Sequence, residues 1–169
     1  ELIEFFYNHQ NKSYENIAIE IEDWFSANVC SMFGAMLYIL QKRLNTITVK
    51  ADKPFEILSR NGFLSFFGYS RISDTKQTSV SYQVLSPKDH RFFYDYVYSE
   101  LLCKQPIPKM TIPLKKKIAE SIYEIFVNAQ IHSQTDKIFT CGQFYPKNNE
   151  IKFMISDIGI GFRESVNDR

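Results

Sequence analysis

Two stretches decide how this chain is read: Glu124-Ile125-Phe126-Val127-Asn128-Ala129-Gln130-Ile131-His132, and Ser156-Asp157-Ile158-Gly159-Ile160-Gly161-Phe162. In the first, Glu124, Asn128 and His132 recur every fourth residue. Four residues advance only about 40° around a helix axis, so the three polar side chains stack on one face. Ile118, Ile122, Ile125, Phe126 and Ala129 form an apolar stripe whose centre lies about 100° from Asn128. The polar trio is therefore expected at the shoulder of the buried face, lining a cleft under partial cover. A carboxylate and an amide in such a place need partners, because leaving them buried and unpaired is costly.

The second stretch closes a strand. Ile151, Phe153 and Ile155 alternate on one face, and Asp157 has their parity, so its carboxylate is expected to point toward the helix layer. Gly159 and Gly161 permit a turn that brings backbone close to a ligand. An inward carboxylate beside such a turn suits a ligand that donates a hydrogen bond, such as an exocyclic amine.

Working outward, the pattern predicts a helix over 114–132, strands over 137–145 and 150–156, and a turn at Pro146-Lys147-Asn148-Asn149. Pro106, Pro108 and Pro113 interrupt any helix before that point, which places a linker at 105–113 between a domain at 1–104 and a domain at 114–169. In the first hundred residues, strands are expected at 16–22, 46–49 and 78–85. A helix is expected over about 29–43, and a short one begins near Pro54 and ends at Asn61-Gly62. Another opens at Pro87, with Phe93, Val97 and Leu101 on one stripe. The fold class is α/β, with a sheet-and-helix domain followed by the start of an α/β two-layer sandwich.

Residues 124–132 resemble the N box, and residues 157–161 the G1 box, of the gyrase, Hsp90, histidine-kinase and MutL (GHKL, or Bergerat) ATPases. The intervening hairpin is as that family has it. The resemblance implies ATP and Mg²⁺ as ligands. Asn128 would ligate Mg²⁺ bridging the phosphates, and Glu124 would be general base for an attacking water or hydroxyl. Asp157 would accept from the adenine amino group, while Gly159 and Gly161 would shape the adenine pocket and the lid hinge. His132 is either a helix-end residue stabilised by the C-terminal dipole or part of the rim of the phosphate site.

Asp89-His90-Arg91-Phe92-Phe93 has aromatic residues where the phosphoacceptor motif of sensor histidine kinases is polar, which disfavours autophosphorylation on histidine. Glu124 fits better with anti-sigma-type serine kinases or with ATPases. Residues 1–104 are similar to STAS domains, the anti-sigma-antagonist modules of bacterial partner switching. The similarity rests on the Trp24-Phe25-Ser26-Ala27-Asn28 turn, the helix containing Gly34-Ala35-Met36-Leu37, and the ending Arg60-Asn61-Gly62-Phe63. Ser31 falls near the switch serine of that family, but Val29 or Cys30 and Met32 replace its acidic and glycine neighbours. Ser31 is therefore expected to be a helix residue without a switch role, with Ser26 or Asn28 as cap.

Composition narrows the function classes. A net charge of +1 gives no basic field for nucleic acid or an anionic membrane, and Lys115-Lys116-Lys117 reads as a solvated helix face. The apolar run from Val29 to Leu40 is too short to span a bilayer. Cys30, Cys103 and Cys141 lack metal-ligand spacing and read as reduced thiols, consistent with a cytoplasmic protein. The 26 aromatic residues (15 Phe, 10 Tyr, 1 Trp) are enough to fill a core.

The function expected is a bacterial regulatory protein that binds ATP and acts on a protein partner, as ATPase or protein kinase. The alternative is a nucleotide-gated interaction module without turnover. A DNA-processing or chaperone ATPase is disfavoured because the N-terminal segment lacks strap or transducer elements. Residues 1–169 carry no second glycine box and begin at Glu1, so they are expected to be a fragment that binds ATP feebly and hydrolyses none. Their hairpin edge is expected to be open to pairing with another copy.

Overall fold

Strands β1 (Asn16–Glu20) and β2 (Thr46–Lys50) pair in parallel, Asn16 opposite Thr46 and Glu20 opposite Lys50. A parallel pair needs a crossover, and α2 (Val29–Lys42) supplies it. Helix α1 (Leu2–His9), an element not expected from the sequence, precedes β1; none of its residues is fully buried. It docks through Leu2 and Phe5, whose ring meets Phe33 edge-on at 6.4 Å. Helix α3 (Glu56–Arg60) follows β2 and ends at Gly62 with φ +84°, as the Asn61-Gly62 pair predicts. The computed structural model describes residues 1–22, 26–51 and 56–159, apart from the side chains of His132 and Ser133. Pro54 lies outside them, as do Trp24 and Phe25 of the expected turn.

The second sheet is antiparallel, in the order β3 (Ser79–Leu85), β4 (Ile138–Tyr145), β5 (Glu150–Asp157). Between β3 and β4 run α4 (His90–Tyr96), a π-helical segment (Val97–Leu102), and the long α5 (Ile112–Ser133). Phe93, Val97 and Leu101 are all buried, as their stripe predicts. Pro113 does not exclude helix, because it sits in the first turn of α5, where its missing N–H has no partner to lose. Helix α5 therefore starts at Ile112, with Thr111 as N-cap accepting from the Leu114 N–H at 3.4 Å.

The 105–113 segment does not separate two independent units. β3, from the N-terminal side, pairs with β4, Leu85 opposite Ile138 and Ser79 opposite Gln143. Tyr82, Phe139 and Cys141 join a core with α2, β1, β2 and α3, while Val80, Leu85 and Ile138 join a second core with α4 and α5. The sheet is thus covered on both faces, by α2 on one side and by α4 and α5 on the other, and β4 is buried nearly throughout. The expected two-layer sandwich has a third layer, contributed by the segment read as a separate domain. Proline-rich composition marked the end of helical structure, but it does not report which strands pair across it.

Polar contacts fix the α2 side. The Cys141 thiol donates to the carbonyls of Ala27 (2.9 Å) and Asn28 (3.3 Å), and Ser26 Oγ lies 2.6 Å from the Tyr145 hydroxyl. The Tyr82 N–H leaves the β3–β4 ladder to donate to the Asn61 carbonyl at 2.7 Å, where the pairing shifts register between Val80 and Gln83.

Candidate functional site

Among the described residues of α5 the buried positions are Ala119 and Phe126; Ile118, Ile122 and Ala129 are half-buried, and Ile125 is exposed. Phe126 stacks on Phe93 of α4 with ring centroids 4.3 Å apart and planes within 14°. The buried face centres on Phe126, and Glu124 and Asn128, two residues to either side, lie about 160° around the axis from it. Both are exposed. They do not sit under partial cover at a shoulder, because α4 draws the packed face of α5 toward Phe126. Among the described residues, no side-chain hydrogen bond or ion pair holds either one. The side chain of His132 and all of Gly161 lie outside the described residues.

Asp157 ends β5 directly opposite Ile138, which belongs to the core beneath α4 and α5. Paired residues share a sheet face, so the Asp157 carboxylate emerges on the α5 side, as its parity predicts. It is solvent-exposed at the strand end rather than inward in a closed layer. Its Oδ1 accepts from the Gly159 N–H at 3.0 Å, so the carboxylate holds the start of the glycine turn and leaves Oδ2 for another donor.

An apolar groove of about 320 Å³ runs along the same face of β5. Ile151, Phe153 and Ile155 form one wall, with Ile118, Ile122 and Ile125 of α5 opposite, and Asp157 is the next residue of that strand face. Asn128 lies about 60° beyond Ile125 around α5. The structure thus puts an apolar slot, the Asp157 carboxylate further along the same strand face, and α5 with Glu124 and Asn128 on one side of the sheet. β5 is the last strand in the sheet order, and among the described residues its outer edge carries no strand.

The arrangement offers oxygen donors in Asn128 and Asp157; among the described residues, no cluster of three His, Cys, Asp or Glu side chains could hold a metal by itself. No helix of the described residues is long and apolar enough to cross a membrane. Cys141 is a core residue, as its position predicts; burial pushes its thiol up, and the neighbouring Cys30 adds to this.

Sequence reasoning missed the support beneath the site. Ser156 faces α2, where its Oγ lies 3.1 Å from Ser31 Oγ. The parity of Ser156 opposite to Asp157 was the available signal, but a partner 125 residues away has no local signature. Ser31 is completely buried and also donates to the Asn28 carbonyl at 3.1 Å. Asn28 is the N-cap of α2, without a side-chain cap bond. Comparison with protein-family models, with curated proteins and with solved structures finds no match to this chain.

Proposed function

We propose that Glu124, Asn128 and Asp157 belong to an adenine-nucleotide site of the GHKL type, in a bacterial regulatory protein that works as an ATPase or an anti-sigma-type serine kinase. The observation that carries this reading is the apolar groove of Ile122, Ile125, Phe153 and Ile155, with Asp157 the next residue on the same face of β5. A flat apolar ring with an exocyclic amine fills such a slot and donates to Asp157 Oδ2 while Gly159 holds Oδ1. Glu124 and Asn128 on the adjoining flank then face the phosphate end. Glu124 takes the proton of an attacking water or hydroxyl.

The donor set fits Mg²⁺: it prefers oxygen, keeps several waters and takes most remaining ligands from phosphates, so the exposed Asn128 amide oxygen can be the protein's contribution. When bound, the ion neutralises phosphate charge. The parallel β1–α2–β2 unit supports a STAS-like reading of the N-terminal part, without a phosphoswitch at the buried Ser31. Three unpaired thiols support a reducing, cytoplasmic setting.

One observation favours the second reading, a nucleotide-gated interaction module: nothing among the described residues orients Glu124 as a base. Because residues 1–169 alone are expected to hydrolyse no ATP, Glu124→Ala in the full-length protein separates the two. A catalytic Glu124 requires turnover to fall by about 10²–10⁴ with ATP affinity kept. Wild-type turnover in that variant removes Glu124 from the chemistry and leaves the binding module.

A further inference from the structure

At the other end of the β4–β5 hairpin lies a cavity of about 450 Å³ lined by Arg60, Lys76, Thr78, Gln143, Lys147 and Asn148, together with the hairpin's aromatic and proline residues. Tyr145 pairs with Glu150 at this end and Ile138 with Asp157 at the other. Eight strand residues put the two ends about 23 Å apart, so this cavity is distinct from the proposed nucleotide site.

Its charge is one-sided. Among the described residues, three cations line it and no carboxylate does. Arg60 has a counter-charge in Asp74, whose Oδ1 lies 3.5 Å from Arg60 Nη1, with both side chains about six-sevenths buried (14% and 13% exposed). Asp74 Oδ2 accepts from the Ser79 N–H at 2.8 Å and the Ser79 hydroxyl at 2.6 Å, so Asp74 divides its charge between Ser79 and Arg60. Lys76 and Lys147 are exposed and have no carboxylate partner among the described residues. Arg60 Nε and Gln143 Oε1 are shielded from solvent and have no hydrogen-bond partner among the described residues. Buried polar atoms are rarely left so, and the Arg60 Nε–H is a donor that an anion entering the cavity can satisfy.

We infer that this cavity binds a small phosphate-bearing molecule. Lys76 and Lys147 close over the phosphate oxygens, the Arg60 guanidinium supplies the fixed charge at the base, and Thr78 and Asn148 offer neutral hydrogen bonds. The Gln143 amide turns its NH₂ toward the anion. Tyr145 and Pro146 take the apolar part of the ligand.

The test is an amide NMR titration of the protein with inorganic phosphate and with pyrophosphate, against sodium chloride at matched ionic strength. Binding here requires saturable shifts at Thr78, Gln143, Lys147 and Asn148 that chloride does not reproduce. The double variant Lys76→Ala/Lys147→Ala, altered only at exposed positions, must keep the spectrum of the fold and weaken binding about tenfold. Linear shifts matched by chloride, unchanged affinity in the double variant, or shifts confined to Asp157–Gly159 would each overturn the proposal. The last of these supports the nucleotide site instead, so the two readings fail separately.

Discussion

Ser31 Oγ of α2 and Ser156 Oγ of β5 lie 3.1 Å apart, which joins the first crossover helix to the residue immediately before Asp157. The N-terminal segment is therefore the floor beneath the candidate site. Any shift of α2 against the sheet moves the strand end that carries the carboxylate.

Because Ser31 is completely buried, a charge there has no solvent and no cation to meet. Ser31→Asp is expected to cost at least about 2 kcal/mol, and Ser31→Ala about 1 kcal/mol for the lost hydrogen bonds. Urea denaturation reads both. Stoichiometric phosphate on Ser31 of the folded protein, or a Ser31→Asp variant as stable as wild type, contradicts this packing.

Gly34 marks the close approach of α2 to β3. A Cβ at this position would overlap the hydroxyl of Tyr82, whose ring is held by Phe63 and Phe66 at centroid distances of 5.1 Å each. Gly34→Ala is expected to destabilise by about 1–3 kcal/mol through overpacking, despite the higher helix propensity of alanine. Adding Tyr82→Phe removes the overlapping oxygen and should restore part of the loss. A Gly34→Ala variant with raised Tm rules out the contact.

Acid should weaken the β3 region first. Burial opposes ionisation of Asp74, but the Ser79 N–H and hydroxyl, with Lys104 and Arg60, outweigh it and hold the carboxyl below its ordinary value. Glu100 is likewise opposed by burial and held low by Lys104 at 2.9 Å and the Ser81 hydroxyl at 3.1 Å. A folded-state pKa below the unfolded one adds stability above the unfolded pKa, near 4, and loses it as pH falls through the lower folded value. Stability measured from pH 6 down to about pH 2 should therefore decline, and Asp74→Asn should decline less steeply. Identical slopes would remove Asp74 from the acid transition.

The shared sheet sets a further expectation. Residues 105–169 alone lack β3, and they lack both the α2 cover of Phe139 and Cys141 and the α4 cover of Phe126. They should show no cooperative thermal transition, whereas residues 1–169 should show one. A sharp transition in the short piece would restore the boundary at 105–113.

The local elements were legible because each carries its own period or punctuation. The strand alternation of 151–155, the Phe93–Val97–Leu101 stripe and the Asn61-Gly62 stop all appear where the patterns put them. The face of Asp157 was legible for the same reason. What failed was non-local. The pairing of β3 with β4 spans a proline-rich segment that reads as a linker, and the stacking of Phe93 on Phe126 turned α5 so that Glu124 and Asn128 face outward. α1 was legible too, since Leu2, Phe5, Phe6 and His9 recur at helical spacing on its half-buried face, but its eight residues were not among the elements expected.

The nucleotide assignment stands or falls on how Asp157 treats the base. Amide NMR titration reads weak as well as tight binding, and it can be run with ATP and with GTP on wild type and Asp157→Asn. A carboxylate that accepts from the adenine amine should favour ATP, since guanine presents a carbonyl oxygen at that position and would meet it acceptor to acceptor. The expected result is saturable shifts at Asp157 and Gly159 with ATP, weaker binding of GTP, and a loss of roughly ten- to a hundredfold in ATP affinity in Asp157→Asn. Equal affinity for ATP and GTP, or ATP binding unchanged by Asp157→Asn, would contradict it.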